Sequence, residues 1–451
     1  MNLHKLLAAR AADRKPVRVG LIGAGKFGSM YLAQALRTTG IHVLGIADLD
    51  LGKARAALAR IGWPEEQYSA HSFAAARKHG GTFLTDDAAT LISADGLDVV
   101  IDATGHPGAG IRHALLAIEH GRHVVMVNVE ADVLAGPLLA RRAQQAGVVY
   151  SLAYGDQPAL ICELVDWART CGFDVVAAGK GTRYRPLFHQ STPDTVWDYY
   201  GLSAEHARAN GLNPQMFNSF IDGTKSGIEM AAVANATGLS APAQGLSFPP
   251  VSIPDLARFL KPEADDGLLE RRGMVEVVSS ERHEGGPVPD NLRWGVYVVF
   301  AGDTDYVRRS FREYGLARDD EGNYAALWRP FHLIGLELGI SVASVALRHE
   351  PTGAAQEWRA DVVATAKFDL PAGDMLDGEG GHKVWGRLMP AERSLALGGL
   401  PIGLAHGVRL NRAVKAGETL RWSDVTYDPT DPATAFRREM ESACGPAPTK
   451  A

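Results

Sequence analysis

Residues 17–50 constrain this chain more than any other stretch. An apolar run (Val17, Val19, Leu21, Ile22) leads into Gly23-Ala24-Gly25-Lys26-Phe27-Gly28. A helical pattern follows over 29 to about 38, and a second apolar run, 41–47, ends at Asp48. Strand, glycine-rich turn, helix, strand and acidic residue form the full setting of a dinucleotide-binding fingerprint. Gly23 permits the tight turn, Gly25 lets the backbone approach a pyrophosphate, and Gly28 lets the helix pack close to the strand. The helix N-terminus, at Lys26 and Phe27, offers amide donors and a positive dipole end to the phosphates. Asp48, about twenty residues past Gly28, stands where a carboxylate accepts from ribose hydroxyls. NADPH or NADH is therefore the expected cofactor.

Strand and helix keep alternating afterwards. The pattern predicts a helix over 51–60, an irregular or helical stretch at 63–78, a buried strand over 97–105 and a helix over 111–120 that stops at Gly121. A strand over 123–128, a helix over 132–146 and a strand over 148–152 complete an α/β domain with a parallel Rossmann sheet, residues 1–155. Ligands of such sheets gather at the carboxyl ends of the strands. That puts Thr104, Gly105, His106, Asn128 and Glu130 beside the cofactor, toward its nicotinamide half, with His106 read as a wall residue of the site.

At 451 residues the chain exceeds one compact core. Residues 156–325 read as an inserted α+β catalytic, substrate and dimerisation domain. A helix at about 330–347 is expected to return to the nucleotide domain. A small β-rich module follows at 365–428, then a loose tail at 429–451. A net charge of −6 without any basic block argues against nucleic acid and anionic membranes as partners. Three cysteines without CxxC spacing, and no apolar run of membrane-spanning length or leader type, make a cytoplasmic location the expectation.

The densest reactive stretch is 220–238. Asp222 is placed to cap a helix whose first turns carry Lys225 and Glu229, four apart and on one face. The rest of that helix is apolar or small, which predicts burial, and a buried charge needs a partner or a ligand. A carbonyl that receives hydride needs a proton or a cation at its oxygen, and Lys225 suits that role. Asp222 and Glu229 suit a shared divalent cation, Mg2+ or Mn2+, on a hydroxy-ketone. A strand over 174–178 is expected to end at 179–181. Lys180, Arg183 and Arg185, with Tyr184 and His189, would then form a cationic and aromatic loop cluster fit for a phosphate or carboxylate.

The Rossmann start through Asn128-Val129-Glu130, the run Asp222-Gly223-Thr224-Lys225-Ser226 with Glu229, and Arg329-Pro330-Phe331-His332-Leu333 together resemble the homoserine-dehydrogenase-like oxidoreductases with a C-terminal SAF domain. The best-known activity there is that of the 1-deoxy-D-xylulose 5-phosphate reductoisomerase-like (DRL) enzymes. Residues 413–425 are similar to the SAF or β-clip module of sialic acid synthases, antifreeze-like domains and flagellar basal-body chaperones. The resemblance implies NADPH-dependent conversion of 1-deoxy-D-xylulose 5-phosphate to 2-C-methyl-D-erythritol 4-phosphate, in a homodimer, with a divalent metal. It puts the Lys180–Arg185 cluster at the phosphate and Asp222, Lys225 and Glu229 at the hydroxy-ketone. A second reading stays open, a simple NAD(P)-dependent dehydrogenase of a hydroxy acid, sugar acid or homoserine-like substrate. It is motivated by Asp48, whose carboxylate repels a 2′-phosphate unless Lys53 and Arg55 compensate. A nucleotide-binding scaffold is the non-enzymatic reading, and the 222–229 cluster opposes it.

Overall fold

The computed structural model describes residues 2–209 and 211–445. The chain forms two compact units. The first takes the chain up to residue 160 together with 332–356. Its strands are β1 (Val17–Ile22), β2 (Ile41–Ala47), β3 (Phe83–Thr85), β4 (Val99–Asp102), β5 (His123–Met126) and β6 (Tyr150–Leu152). They line up in the order β3-β2-β1-β4-β5-β6. All five pairings are parallel. This is the doubly wound order, with its topological switch between β1 and β4. The class is α/β, as the sequence requires.

The core of this unit is made by Val17, Val19 and Leu21 of β1, Ile46 of β2, Val99 and Ile101 of β4, and Leu32 of helix Lys26–Ala35. The second strand and the helix Leu51–Arg60 fall where the pattern puts them. Within 63–78, where the sequence shows no clean period, the chain forms a short 3-10 turn and the helix Phe73–His79, whose Ser72 cap accepts from the Ala75 amide. The late helix does return to this unit, but as Gly339–Arg348. It starts nine residues later than expected because Gly335 turns the chain at φ +77°, and a Cβ there would lie 2.8 Å from Met30 Cβ. Val342, Ala343 and Val345 join the core.

The second unit takes 161–331 and the chain from 357 onward. A mixed five-stranded sheet is built from β7 (Asp174–Thr182), β8 (Met274–Ser279), β9 (Val296–Ala301), β10 (Ala317–Arg318) and β11 (Tyr324–Arg329), ordered β10-β11-β9-β7-β8. Later come β12 (Ala360–Ala366), β13 (Met375–Asp377), β14 (Val384–Pro390), β15 (His406–Leu410) and β16 (Val425–Thr426). β12 pairs with β14, and β13-β15-β16 form a small sheet. Helix Thr224–Thr237 packs against β7 and β8 and against the β12–β14 pair. Flanked in this way, it keeps nearly every residue buried.

Two expectations are corrected here. β7 does not stop before residue 179; it runs through Lys180 to Thr182. A Cβ on Gly179 would sit 1.8 Å from the Glu276 carbonyl oxygen, and one on Gly181 would sit 1.9 Å from that of Leu292. The two glycines are there for close packing, not as strand breakers. The tail expected to be loose after 429 carries instead the helix Pro432–Cys444, capped by Asp431 accepting from the Thr434 amide. Its Arg437 is fully buried, donates to Asp361 (2.6 Å) and Glu441 (2.9 Å), and stands over the Trp358 ring. Residues from 446 lie outside the described residues. Among the described residues no helix is long and apolar enough to cross a membrane.

Candidate active site

In the first unit, strand register builds the site. Ile22 pairs with both Ala47 and Asp102, so the ends of β2, β1 and β4 are level. Gly23, Asp48 and the 103–106 turn therefore leave the sheet together, at the switch point. Gly23 has φ +95°, and a Cβ on it would lie 2.7 Å from the Ala103 carbonyl. A Cβ on Gly28 would lie 2.2 Å from the Gly23 carbonyl, so that glycine sets the helix against the turn. Gly25 differs: a Cβ there meets nothing within 4 Å. Among the described residues nothing demands a glycine at 25, whereas a pyrophosphate lying over the turn would. The site thus fits a dinucleotide. Lys26 is exposed and Phe27 half-buried at the first helical turn.

Asp48 is half-buried, and its carboxylate accepts from the Ala24 amide (2.8 Å) and the Asp50 amide (2.9 Å). It ties the end of β2 to the glycine turn. Across the switch point, the fully buried Asp102 accepts from Thr104 Oγ1 (2.8 Å) and pairs with His113 Nδ1 (2.6 Å). The sequence reading missed this pair, because an aspartate ending an apolar strand and a histidine eleven residues on share no recognisable motif. Asn128 is buried too, and its amide donates to Thr104 Oγ1 (3.2 Å) and the His106 carbonyl (2.9 Å) while accepting from the Ala131 amide (3.1 Å). Asn128 braces the 104–106 turn. Thr104 is half-buried, Gly105 and His106 are exposed, and His106 Nδ1 caps its helix by accepting from the Ala109 amide (3.2 Å). Glu130, half-buried, sits in the first turn of helix Val129–Gln145.

In the second unit, the structure brings Asp222, Lys225 and Glu229 to the start of one helix, as the spacing predicts. Lys225 is half-buried and lies one turn before Glu229. Glu229 is buried and bonded to Lys180, which reaches it from the last third of β7. Asp222 is fully buried; its Oδ1 accepts from the Thr224 amide (2.9 Å) and its Oδ2 pairs with Lys367 Nζ at 2.8 Å. Lys367 also donates to the carbonyls of Ser191 (2.7 Å) and Gly381 (2.8 Å), so a lysine some 145 residues downstream is fully engaged in holding Asp222. Nothing in the sequence links the two.

These pairings bear on the divalent cation. Each carboxylate expected to share it is already matched by its own ammonium group. Among the described residues no group of three or more His, Cys, Asp or Glu side chains is arranged to hold a metal ion. The donor set as it stands does not fit Mg2+ or Mn2+.

The cationic cluster is dispersed as well. Lys180 is buried in the sheet against Glu229, and Arg183 donates to Glu281 at 2.5 Å. His189 is enclosed: its Nδ1 faces the Asp222 carbonyl at 2.7 Å and its Nε2 faces the Tyr184 hydroxyl at 2.8 Å. A carbonyl can only accept, so Nδ1 donates, and Nε2 accepts from the tyrosine. Burial holds the His189 pKa below its usual value. The ring is therefore neutral and does not act as a cation for a phosphate. Of the four, Arg185 alone keeps a guanidinium without a carboxylate partner among the described residues. It lies 5.9 Å from the Phe188 ring centroid, with its Nε buried and unbonded.

Both halves of this arrangement have counterparts among known proteins. Residues 19–152 match the family described as homoserine dehydrogenase, NAD binding domain, and residues 155–338 match oxidoreductase DRL, catalytic domain. The class is that of the NAD(P)-dependent oxidoreductases. More particularly, residues 19–152 are similar to a homoserine-dehydrogenase NAD-binding domain and residues 155–338 to a DRL catalytic domain. Comparison with curated protein sequences found no match. Among solved structures, a myo-inositol dehydrogenase from Lactobacillus casei with NAD(H) and myo-inositol is similar at 17% identity over 40% of this chain and 50% of that one, with a TM-score of 0.29. The chain thus spans half the length of that enzyme. An NAD-binding oxidoreductase from Klebsiella pneumoniae is similar at 16% identity over 71% and 67% of the two chains (TM-score 0.31). A levoglucosan dehydrogenase with NADH and levoglucosan is similar at 14% over 69% and 66% (TM-score 0.31).

Proposed function

We propose that this chain reduces the carbonyl of a small anionic hydroxy-ketone with NAD(P)H, as a cytoplasmic homodimer, and that 1-deoxy-D-xylulose 5-phosphate is the first substrate to test. The observation that carries the reading is Lys225, half-buried on the helix that bears the Lys180–Glu229 pair, inside the segment that matches a DRL catalytic domain. When bound, the nicotinamide supplies the hydride. Lys225 supplies a proton or a fixed positive charge to the carbonyl oxygen as it gains charge. Lys180 pairs with the buried Glu229 beside it, so the carboxylate on this helix face is matched from within the protein. Lys367 holds Asp222, and Asp222 holds the Thr224 amide at the turn that presents Lys225. Arg185 is the cation available for the anionic end of the substrate. We also read residues 365–428 as a SAF-like β-clip module, supported by the short strands within that stretch.

A simple dehydrogenase of a hydroxy acid or sugar acid is the second reading. The lysine-matched carboxylates favour it, since they leave no ready cation site for a metal-assisted rearrangement. Incubation of pure protein with 1-deoxy-D-xylulose 5-phosphate and NADPH or NADH separates the two. Loss of absorbance at the nicotinamide band with formation of 2-C-methyl-D-erythritol 4-phosphate is expected. No loss with either cofactor, with or without Mg2+ or Mn2+, removes the reductoisomerase and leaves the simple dehydrogenase to be sought among hydroxy acids.

A further inference from the structure

Helix Thr224–Thr237 has a second working face. Lys225 and Gly227 are two residues apart, about 200° around the helix, so they look in opposite directions. Lys225 and Glu229 share the side that meets Lys180. Gly223 and Gly227, one turn apart, look the other way: a Cβ on Gly223 would lie 3.2 Å from the His189 ring, and one on Gly227 would lie 3.2 Å from the Gly386 carbonyl. On that side is a cavity of about 210 Å3, lined by His189, Phe248, Trp385, Arg387 and several glycines.

Its walls are flat and aromatic. Trp385 of β14 stacks on His189 with ring centroids 3.8 Å apart and planes at 26°, and Phe248 stacks on Tyr184 at 3.9 Å and 17°. Both hydrogen-bonding atoms of His189 are already used, so this wall offers ring surface and no charge. The charge comes from Arg387. One Nη donates to the Gln244 carbonyl at 2.7 Å, yet among the described residues no carboxylate pairs with it. Arg393 adds a second positive charge nearby, and partial burial together with that neighbour lowers the Arg387 pKa from its usual value. The carboxylates packed around the cavity are committed elsewhere. Asp222 belongs to Lys367 and Glu276 takes the Ser247 hydroxyl and the Val277 amide. Glu270 takes the Ala243 amide.

A half-buried guanidinium with no counter-ion is unfavourable by itself and becomes favourable with an anion against it. The space is right for one ring, since an apolar cavity of about 150 Å3 already admits benzene. We propose that this cavity, bounded by Trp385 and Arg387 of the C-terminal segment, binds a single-ring aromatic carboxylate. The ring lies against the Trp385–His189 and Phe248 walls and the carboxylate meets Arg387. The site is separate from the Lys225 face and does not depend on the reaction proposed for it.

Titration calorimetry on the full chain without cofactor tests this, with benzoate as probe and benzyl alcohol as the uncharged ring of the same size. Saturable binding of one benzoate per chain is expected, about tenfold or more tighter than benzyl alcohol, because only the carboxylate gains the charge-assisted bond. Arg387→Met should erase that preference, and Trp385→Leu should weaken both ligands. Absence of saturable benzoate binding, equal affinity for the two probes in the unmodified protein, or an unchanged preference in folded Arg387→Met overturns the proposal. The two-probe comparison needs no variant, so a misfolded mutant cannot shelter it.

Discussion

Gly25→Ala separates a ligand's demand for glycine from the fold's demand. The added Cβ meets no protein atom within 4 Å, and the backbone at 25, with φ −66°, is one that alanine accepts. Folding stability should therefore change by less than about 1 kcal/mol, with a small gain possible from the stiffer unfolded chain. Cofactor binding should suffer. The methyl projects about 1.5 Å from the turn, into the space where a pyrophosphate approaches the helix amides. Pushing it back forfeits at least one hydrogen bond to a charged group, about 2 kcal/mol, or roughly 30-fold in Kd. Gly28→Ala is the mirror case: its Cβ would fall 2.2 Å from the Gly23 carbonyl, so helix and turn must separate, at a cost of about 1–3 kcal/mol. Calorimetric titration with NADH and NADPH, alongside thermal melting, reads both quantities. An unchanged Kd in well-folded Gly25→Ala would refute the placement of the pyrophosphate. A large drop in melting temperature there would refute the claim that the protein leaves that space open.

Other perturbations follow the same logic. Asp48→Ser removes the carboxylate that accepts from the Ala24 and Asp50 amides, so preference should move toward NADPH; a constant NADH to NADPH ratio of kcat/KM counts against Asp48 as the selector. Lys225→Ala should cut turnover by two or more orders of magnitude, about the contribution of a positioned acid, with cofactor affinity intact; near-normal turnover ends its assignment. Chelation of divalent cations should leave turnover unchanged, because Asp222 and Glu229 are held by lysines; a rate that falls with chelator and returns with Mn2+ contradicts this. Asp132 is buried in helix Val129–Gln145 with Tyr150 donating to it at 3.0 Å, and burial pushes its pKa from 3.8 up to about 7. Its folded form binds a proton that the unfolded chain has released, so its contribution to stability is full below pH 3.8 and is lost as pH rises through about 7. At 1.36 kcal/mol per pH unit that is at most about 4 kcal/mol. Asp132→Asn, which keeps the tyrosine bond, should raise the melting temperature at pH 8 and not at pH 4; equal shifts at both pH values would exclude the titration.

The nucleotide unit was legible because its signals are local. A parallel strand buried on both faces reads as an apolar run, and a turn that must bend tightly, approach a phosphate and seat a helix reads as three spaced glycines. Asp222, Lys225 and Glu229 were legible for the same reason, since helical periodicity alone brings them within about two turns. Their partners were not. Lys180 looked like the start of a basic loop because Gly179 and Gly181 mimic a strand end. Only the neighbouring β8 and the chain at Leu292, which leave no room for a Cβ, reveal those glycines as packing residues in a continuing strand.

Sequence by itself determined the cofactor class, the parallel sheet that follows from alternating strands and helices, and the helix that carries Lys225 and Glu229. Tertiary structure decided which charges are available. It matched Glu229 to Lys180, Asp222 to Lys367 and Arg183 to Glu281, and among the described residues left Arg185 and Arg387 without carboxylates. The physical reason is range. Backbone conformation answers to residues a few positions away, whereas the pairing of buried charges is a long-range balance of desolvation against attraction, settled by whichever strand the fold brings alongside.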